Sequence, residues 1–357
     1  MAGYLKLLIV TGLLAFFATS SVAMMIHRRD VRDLISRSPL VVKGRITAID
    51  AVPEAISAFP RFTSAPRVEG MRAKVNLEYI IKGELKGTDI NVLFLHGDPE
   101  YSFTTLQVDN TYILFLTDSE SDLKFNDPQN GAIQVLKGKA NNIDGGPLEK
   151  IRAEFEQSLA TQDTTIVRLA LQGLASVGDA RSLEKVKPYI SSPDEAIRIR
   201  AVAAALALGE WRYAEPLVRF LEEHYRPGEG YWFTGGIGMS DIPWDDYLGA
   251  VTDKEAGPLF TKLFKQSKSP TIRISLMTAL CSMHYEGVLS ELVILLRDKD
   301  ENISYFAYAA IMQIRGLPRS SSEKFERDKA SIIPEIERWA TSHTKDATEA
   351  GSSHFAN

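Results

Sequence analysis

The sequence predicts a chain in two parts, a small closed β-barrel followed by an α-helical solenoid. Three observations predict it. Short runs rich in β-branched residues, separated by turn residues, occupy residues 40–136. From Pro147 onward the apolar period becomes that of amphipathic helices. Those helices then repeat at about 30 residues, the mark of helix pairs that bury their apolar faces only by stacking.

The first residues have the form of an export signal. Lys6 supplies the positive start, Leu7 to Ala18 is an apolar core of 12 residues, and Ser21-Val22-Ala23 offers a small-residue cleavage site. The core is shorter than the roughly 18 apolar residues a spanning helix needs. Cleavage after Ala23 is the expectation, with an uncleaved signal anchor as the alternative, and no stable membrane span is expected after cleavage. No Cys follows the core, so a lipid-modified N-terminus is not expected. Export places the protein in a bacterial periplasm or outside the cell. Cys281 is the only cysteine of the 357 residues, so no intramolecular disulfide can form, and it falls on an expected buried helical face as a packed thiol.

Met24 to Arg37 reads as a short lead-in helix. Strand character starts at Leu40 to Ala51, with Gly44 placed for a bulge or bend. A loop with Pro53, Pro60 and Pro66 follows. Further strands are expected over Arg72 to Lys82, Asp89 to His96, Thr111 to Thr117 and Ala132 to Leu136, separated by turn pairs such as Lys82-Gly83 and Asp109-Asn110. Five strands in so short a stretch predict closure, because closure removes exposed edges. The runs SPLVVKGRIT, VNLEYIIKGELKG and DNTYILFLT resemble the OB-fold, netrin/inhibitor-like barrel of exported bacterial proteins, over Ser38 to Asn142. Metalloproteinase inhibitors with that barrel reach the protease zinc through a Cys at the mature N-terminus. This chain would begin near Met24 without one, so that mechanism is not carried over.

Asp144-Gly145-Gly146-Pro147 marks the end of the barrel. Leu148, Ile151, Phe155 and Leu159 then share one face of a linker or cap helix. Ile166-Val167-Arg168 through Leu174-Ala175 matches Ile199-Arg200 through Leu206-Ala207 at a spacing of 32, and Ile272-Arg273 through Leu280 matches Ile303-Ser304 through Ile311 at 31. Second helices recur at Leu183 to Ile190, Ala214 to Leu221 and Leu289 to Leu296. One divergent repeat is expected between them, with helices at Asp241 to Val251 and Lys254 to Lys265. The pattern resembles HEAT-type repeats, most closely the short form of phycobilisome-lyase-like proteins, over Thr164 to Gly316. That resemblance implies an extended surface for another macromolecule. No residues of a lyase site can be matched, so lyase activity is not carried over.

The expected division is a signal peptide over 1–23, a lead-in helix over 24–37, an OB-like barrel over 38–144, and a linker or cap helix over 145–165. A HEAT-like solenoid over 166–340, with an insertion at 226–240, and a disordered tail over 341–357 complete it.

Composition excludes little but does weigh on partners. Apolar residues make up 45%, charged residues 24%, and the net charge is −5. The densest basic run, His27-Arg28-Arg29 with Arg32 and Arg37, is interrupted by Asp30 and Asp33, so no nucleic-acid footprint is expected. His27, His96, His224, His284, His343 and His354 never fall at metal-ligand spacing, and no catalytic motif occurs, so neither a metal, a cofactor nor a catalytic residue is expected. Arg168, Arg200 and Arg273 recur once per repeat, a pattern that ties neighbouring repeats or, less simply, lines up a ligand row.

The most distinctive stretch is the insertion RPGEGYWFTGGIGMS, whose glycines interleave with aromatic residues. It lacks the Gly-Lys-Ser/Thr of a phosphate loop. Tyr231, Trp232 and Phe233, with Trp244, Asp241 and Asp245 beside them, are the candidate partner-binding residues. Such an aromatic run either packs back on the solenoid, docks barrel to solenoid, or binds a partner. Asp241 and Asp245 stand one helical turn apart. They could serve a cation or a glycosidic bond, or simply cap a helix. The reading is a secreted, non-catalytic scaffold that binds a protein of the cell envelope through the solenoid and this loop. The alternative is an envelope polysaccharide-binding or metal-assisted hydrolytic protein using Asp241 and Asp245.

Overall fold

The protein is described from a computed structural model over residues 30–352, apart from residues 66, 98–102, 120–121, 141–143, 225–243 and 300. The signal segment and most of the lead-in therefore lie outside the described residues. A first helix, α1 (Val31–Arg37), starts at Asp30, whose side chain accepts from the Arg32 amide.

A barrel follows. Its strands are β1 (Leu40–Ala51), β2 (Val68–Lys82), β3 (Asp89–Gly97), β4 (Thr111–Asp118), β5 (Leu123–Phe125) and β6 (Ala132–Val135). β1 pairs with both β2 and β4, and β3 pairs in parallel with β5, so five strands close in the order β1-β2-β3-β5-β4 and back to β1. The expected loop after β1 contains two 3-10 segments, Pro53–Ala58 and Pro60–Phe62. The closing strand differs from expectation. The run 132–136 was expected as the fifth strand of the barrel, but it forms β6, an addition on β4, whereas closure is made by β5. Three residues with a lysine at their centre give no alternation long enough to read.

Val42, Ile46, Val75, Val92, Phe94, Leu114 and Phe125 fill the barrel. The opposite face of the strands is also apolar: Val41, Ile81, Ile113, Phe115, Ile133 and Val135 point outward. A strand apolar on both faces must be covered on both, and the cover is helical. α2 (Pro147–Ser158) and α3 (Thr164–Val177) lie on it, and Ile151, Phe155, Val167, Leu171 and Leu174 join those outward residues in one core. Gly173 in α3 is explained by this packing, since a Cβ there would sit 2.4 Å from the Phe155 ring.

Five helix pairs make up the solenoid. α3 pairs with α4 (Leu183–Val186), α5 (Glu195–Ala207) with α6 (Ala214–His224), and α7 (Trp244–Gly249) with α8 (Gly257–Gln266). α9 (Pro270–Ser282) pairs with α10 (Leu289–Leu295), and α11 (Glu301–Ile314) with α12 (Ser322–Ser352). α5 is apolar nearly all round because it is clasped from both sides. Ile197, Ala201, Ala204 and Ala205 join the core shared with the barrel, and Ile199, Val202 and Leu206 join the core of the later pairs. Leu174, Leu206, Leu248, Leu280 and Ile311 are all fully buried at equivalent places. The interval from Leu206 to Leu248 is 42 residues against 32 for Leu174 to Leu206 and for Leu248 to Leu280, so the extra length enters between the second and third pairs.

One further expectation is corrected. The tail from Thr341 does not begin as a disordered segment: α12 runs on to Ser352. Residues 341–350 contain neither Pro nor Gly and include two alanines, so nothing in them stops the helix.

Candidate functional site

Tyr231, Trp232, Phe233 and Asp241 lie outside the described residues. Trp244 and Asp245 open α7, where only their backbone is described. What is described beside the insertion is how the stack continues past it. The Glu222 carboxylate on α6 accepts from the Ser267 hydroxyl and from the Lys268 and Ser269 amides, the latter two at 3.0 and 3.2 Å, just ahead of α9.

The recurring arginines do not form a row. Arg168 donates to Asp194 at 2.8 Å, joining α3 to the N-cap of α5, and this bond holds the Asp194 carboxyl below its usual range. Arg200 is buried and donates to the Ala196 carbonyl at 3.0 Å. Arg273 instead lies 5.0 Å over the Phe264 ring. Register sets Arg273 apart: Arg168 and Arg200 stand six residues before their buried leucines, Leu174 and Leu206, whereas Arg273 stands seven before Leu280.

The second helices of successive pairs are stitched by charge. Glu215 meets Lys262 at 3.5 Å, Lys265 meets Glu291 at 2.7 Å, and Arg297 binds Glu337 through two contacts of 2.8 and 2.9 Å. Exposed pairs of this kind add little to stability, because water and salt screen them. Their effect on recognition is that the cations and anions of this face neutralise one another.

Two polar groupings were invisible in the sequence. The first is sealed between barrel and solenoid. Lys43 on β1 and Glu154 on α2 are both 0% exposed, with Nζ and Oε2 2.6 Å apart. Lys43 also donates to the Gly138 carbonyl, and Glu78 stands 3.5 Å away. Glu154 accepts from the Tyr79 hydroxyl at 2.6 Å and the Ala140 amide at 3.1 Å. Burial first, and then the bond to Glu154, push the Tyr79 phenol well above its ordinary range. Register shifts in the β1–β2 pairing leave Glu78 unpaired between Leu77 and Tyr79. The bulge turns Tyr79 outward, to the face that α2 covers. With no exposed surface, Lys43 is a fastener and not a nucleophile.

The second is an open cleft of about 650 Å³ on the barrel. Its walls come from the 3-10 segment after β1, from Arg72 on β2, Leu93 on β3, and the β4–β5 turn with Lys124 beyond it. Leu93 belongs to a small outer core with Val52, Ala55 and Phe59. Arg72 pairs with Asp122 at 3.1 Å, and its Nε is buried without a hydrogen-bond partner. Lys124 donates to the Ala58 carbonyl at 2.7 Å and lies 5.7 Å over the Phe59 ring. Glu54 and Asp118 also line this cleft, and among the described residues their carboxylates have no partner. Sequence reasoning missed it because its walls come from separate segments that only barrel closure brings together.

Among the described residues no three His, Cys, Asp or Glu side chains stand close enough to hold a metal ion, and no helix is long and apolar enough to cross a membrane. Cys281 is buried, and burial pushes its thiol up to about 12.

No family model matches the chain, and no curated protein matches it in sequence. Among solved structures, a matching chain belongs to the complex of CpcE and CpcF of phycocyanin lyase from Nostoc sp. PCC7120. The two are 19% identical over 46% of this chain and 63% of that one, with a TM-score of 0.26. A likeness of that extent assigns neither a family nor an activity.

Proposed function

We propose that this protein is an exported, non-catalytic scaffold that binds another protein in the cell envelope. The observation that carries the reading is the single core running from the outer barrel wall through α2, α3 and α5. A surface spread over stacked helix pairs binds well only if its parts keep their places, because ordering them at the moment of contact costs affinity. Here the barrel anchors the first pairs, and the charge stitching links the later ones. We read the closed order β1-β2-β3-β5-β4, with β3 and β5 parallel, as an OB-type barrel, and the helix pairs as HEAT-type repeats. Export rests on Lys6, the apolar core Leu7 to Ala18 and the small residues before Met24.

The test is a cross-linking capture from the exporting cell. The native protein is compared with one whose residues 228–239 are replaced by a short Gly/Ser linker, after circular dichroism shows equal helicity. A partner captured by the native protein and lost with the linker supports the scaffold and places its contact at the insertion. Capture of the same partner by both places the contact elsewhere on the protein. Capture by neither overturns the reading.

A further inference from the structure

The barrel cleft carries an inference that rests on the scaffold reading and extends it to a separate place. Its two cations are already committed, Arg72 to Asp122 at 3.1 Å and Lys124 to the Ala58 carbonyl at 2.7 Å. A carbonyl leaves the Lys124 charge in place, but three carboxylates, Glu54, Asp118 and Asp122, stand against these two cations, so the charge left over for a ligand is negative. A polyanion is disfavoured by that balance, and a cation is favoured.

Shape narrows the choice. A second, shallower cleft of about 340 Å³ adjoins it, and Asp118, Ser119 and Asp122 line both. Apolar side chains stand to each side of this acidic divide, Leu93 in the larger cleft and Ile90 and Leu123 in the smaller. Carboxylates flanked by apolar walls suit a side chain with an alkyl stem and a charged head, carried on a chain whose neighbouring residues are apolar. A compact amine would leave the apolar walls wet. We propose that this groove binds an extended lysine- or arginine-bearing peptide segment of a partner protein, with the cationic head between Glu54 and Asp118.

The probe is a short fluorescein-labelled peptide alternating lysine and leucine, read by fluorescence anisotropy against the full chain. A peptide alternating glutamate and leucine is the charge control, and spermidine is the competitor that tests for a bare cation. The proposal expects the lysine peptide to bind, with affinity falling as salt is raised. Replacing both exposed carboxylates, Glu54→Gln with Asp118→Asn, should weaken it roughly fivefold to tenfold. Equal affinity for native and variant overturns the proposal, as does absence of binding, binding of the glutamate peptide, or spermidine competing as well as the peptide. The variant lacking residues 228–239 should bind the peptide unchanged. Envelope capture that depends on the insertion, together with failed peptide binding, would sink this groove and leave the scaffold standing.

Discussion

Breaking the pair between Lys43 and Glu154 should cost more than almost any surface change in the molecule. At 2.6 Å the two charges attract by about 6 kcal/mol at an effective dielectric of about 20. Desolvation of two fully buried ions offsets most of that, so the pair adds little net stability. Removing one partner is different, because Glu154 alone stays buried without a counter-charge and Lys43 alone keeps only the more distant Glu78. Lys43→Met leaves Glu154 with only the Tyr79 hydroxyl and the Ala140 amide. Glu154→Gln keeps an acceptor for those two donors but leaves Lys43 with the Gly138 carbonyl and Glu78. Lys43→Met should cost about 3–5 kcal/mol, and Glu154→Gln less, because Glu78 still faces Lys43 at 3.5 Å. The double variant strands neither of the two fully buried ions and leaves only Glu78, which is 18% exposed, without its lysine, so it should cost less than the sum by about 2 kcal/mol. Urea unfolding followed by far-ultraviolet circular dichroism measures all four corners of the cycle. Single losses below about 1 kcal/mol, or losses that simply add, would refute the argument.

Other predictions follow from packing and titration. Leu206→Ala should cost about 2–5 kcal/mol in the same assay, and a loss under about 0.5 kcal/mol would mean the repeat register is wrong. Asp179, held first by the Arg181 side chain and further by its amide and Arg152, should titrate at about 2 by carbon-detected NMR. Since its folded pKa lies below the unfolded one, the stability it gives is present above the ordinary carboxylate range and is lost as pH falls toward about 2. It is small, because the side chain is 37% exposed, and Arg181→Gln should move the midpoint upward. The Cys281 thiol, with its pKa pushed up to about 12 by burial, should react with a disulfide reagent at pH 8 only once the protein is unfolded. Rapid reaction in the native state would contradict the packing around α9.

Where local pattern and tertiary role agreed, the sequence was legible. β1 was readable to its last residue because β-branching and the bend at Gly44 both reported the same strand. The helix pairs were readable because the buried residues Leu174 and Leu206, and again Leu280 and Ile311, recur at a spacing of 31 or 32. β5 was not, since three residues become a strand only through their neighbours β3 and β4. Lys43 was not either: a lysine in a strand reads as solvent-facing until the helix that covers that face is known. The two carboxylates of the groove were unreadable for the same reason, as each is unremarkable until closure sets it opposite the other wall. The arginine repeat shows the reverse failure, a match by residue type that a single-residue offset empties of meaning.

The fastening of barrel to solenoid also orders events on the ribosome. Glu154 is made 111 residues after Lys43, which at about 5–20 residues per second is a delay of roughly 6–20 s. By the end of that interval every barrel strand has been synthesised, yet the outer wall bearing Val41, Ile113 and Phe115 has no cover and Lys43 has only Glu78 for a counter-charge. Strands can pair in that time, but the finished barrel waits for α2. A stop or truncation shortly before residue 147 would thus yield a chain with an exposed apolar flank, a species suited to a chaperone and not to independent life.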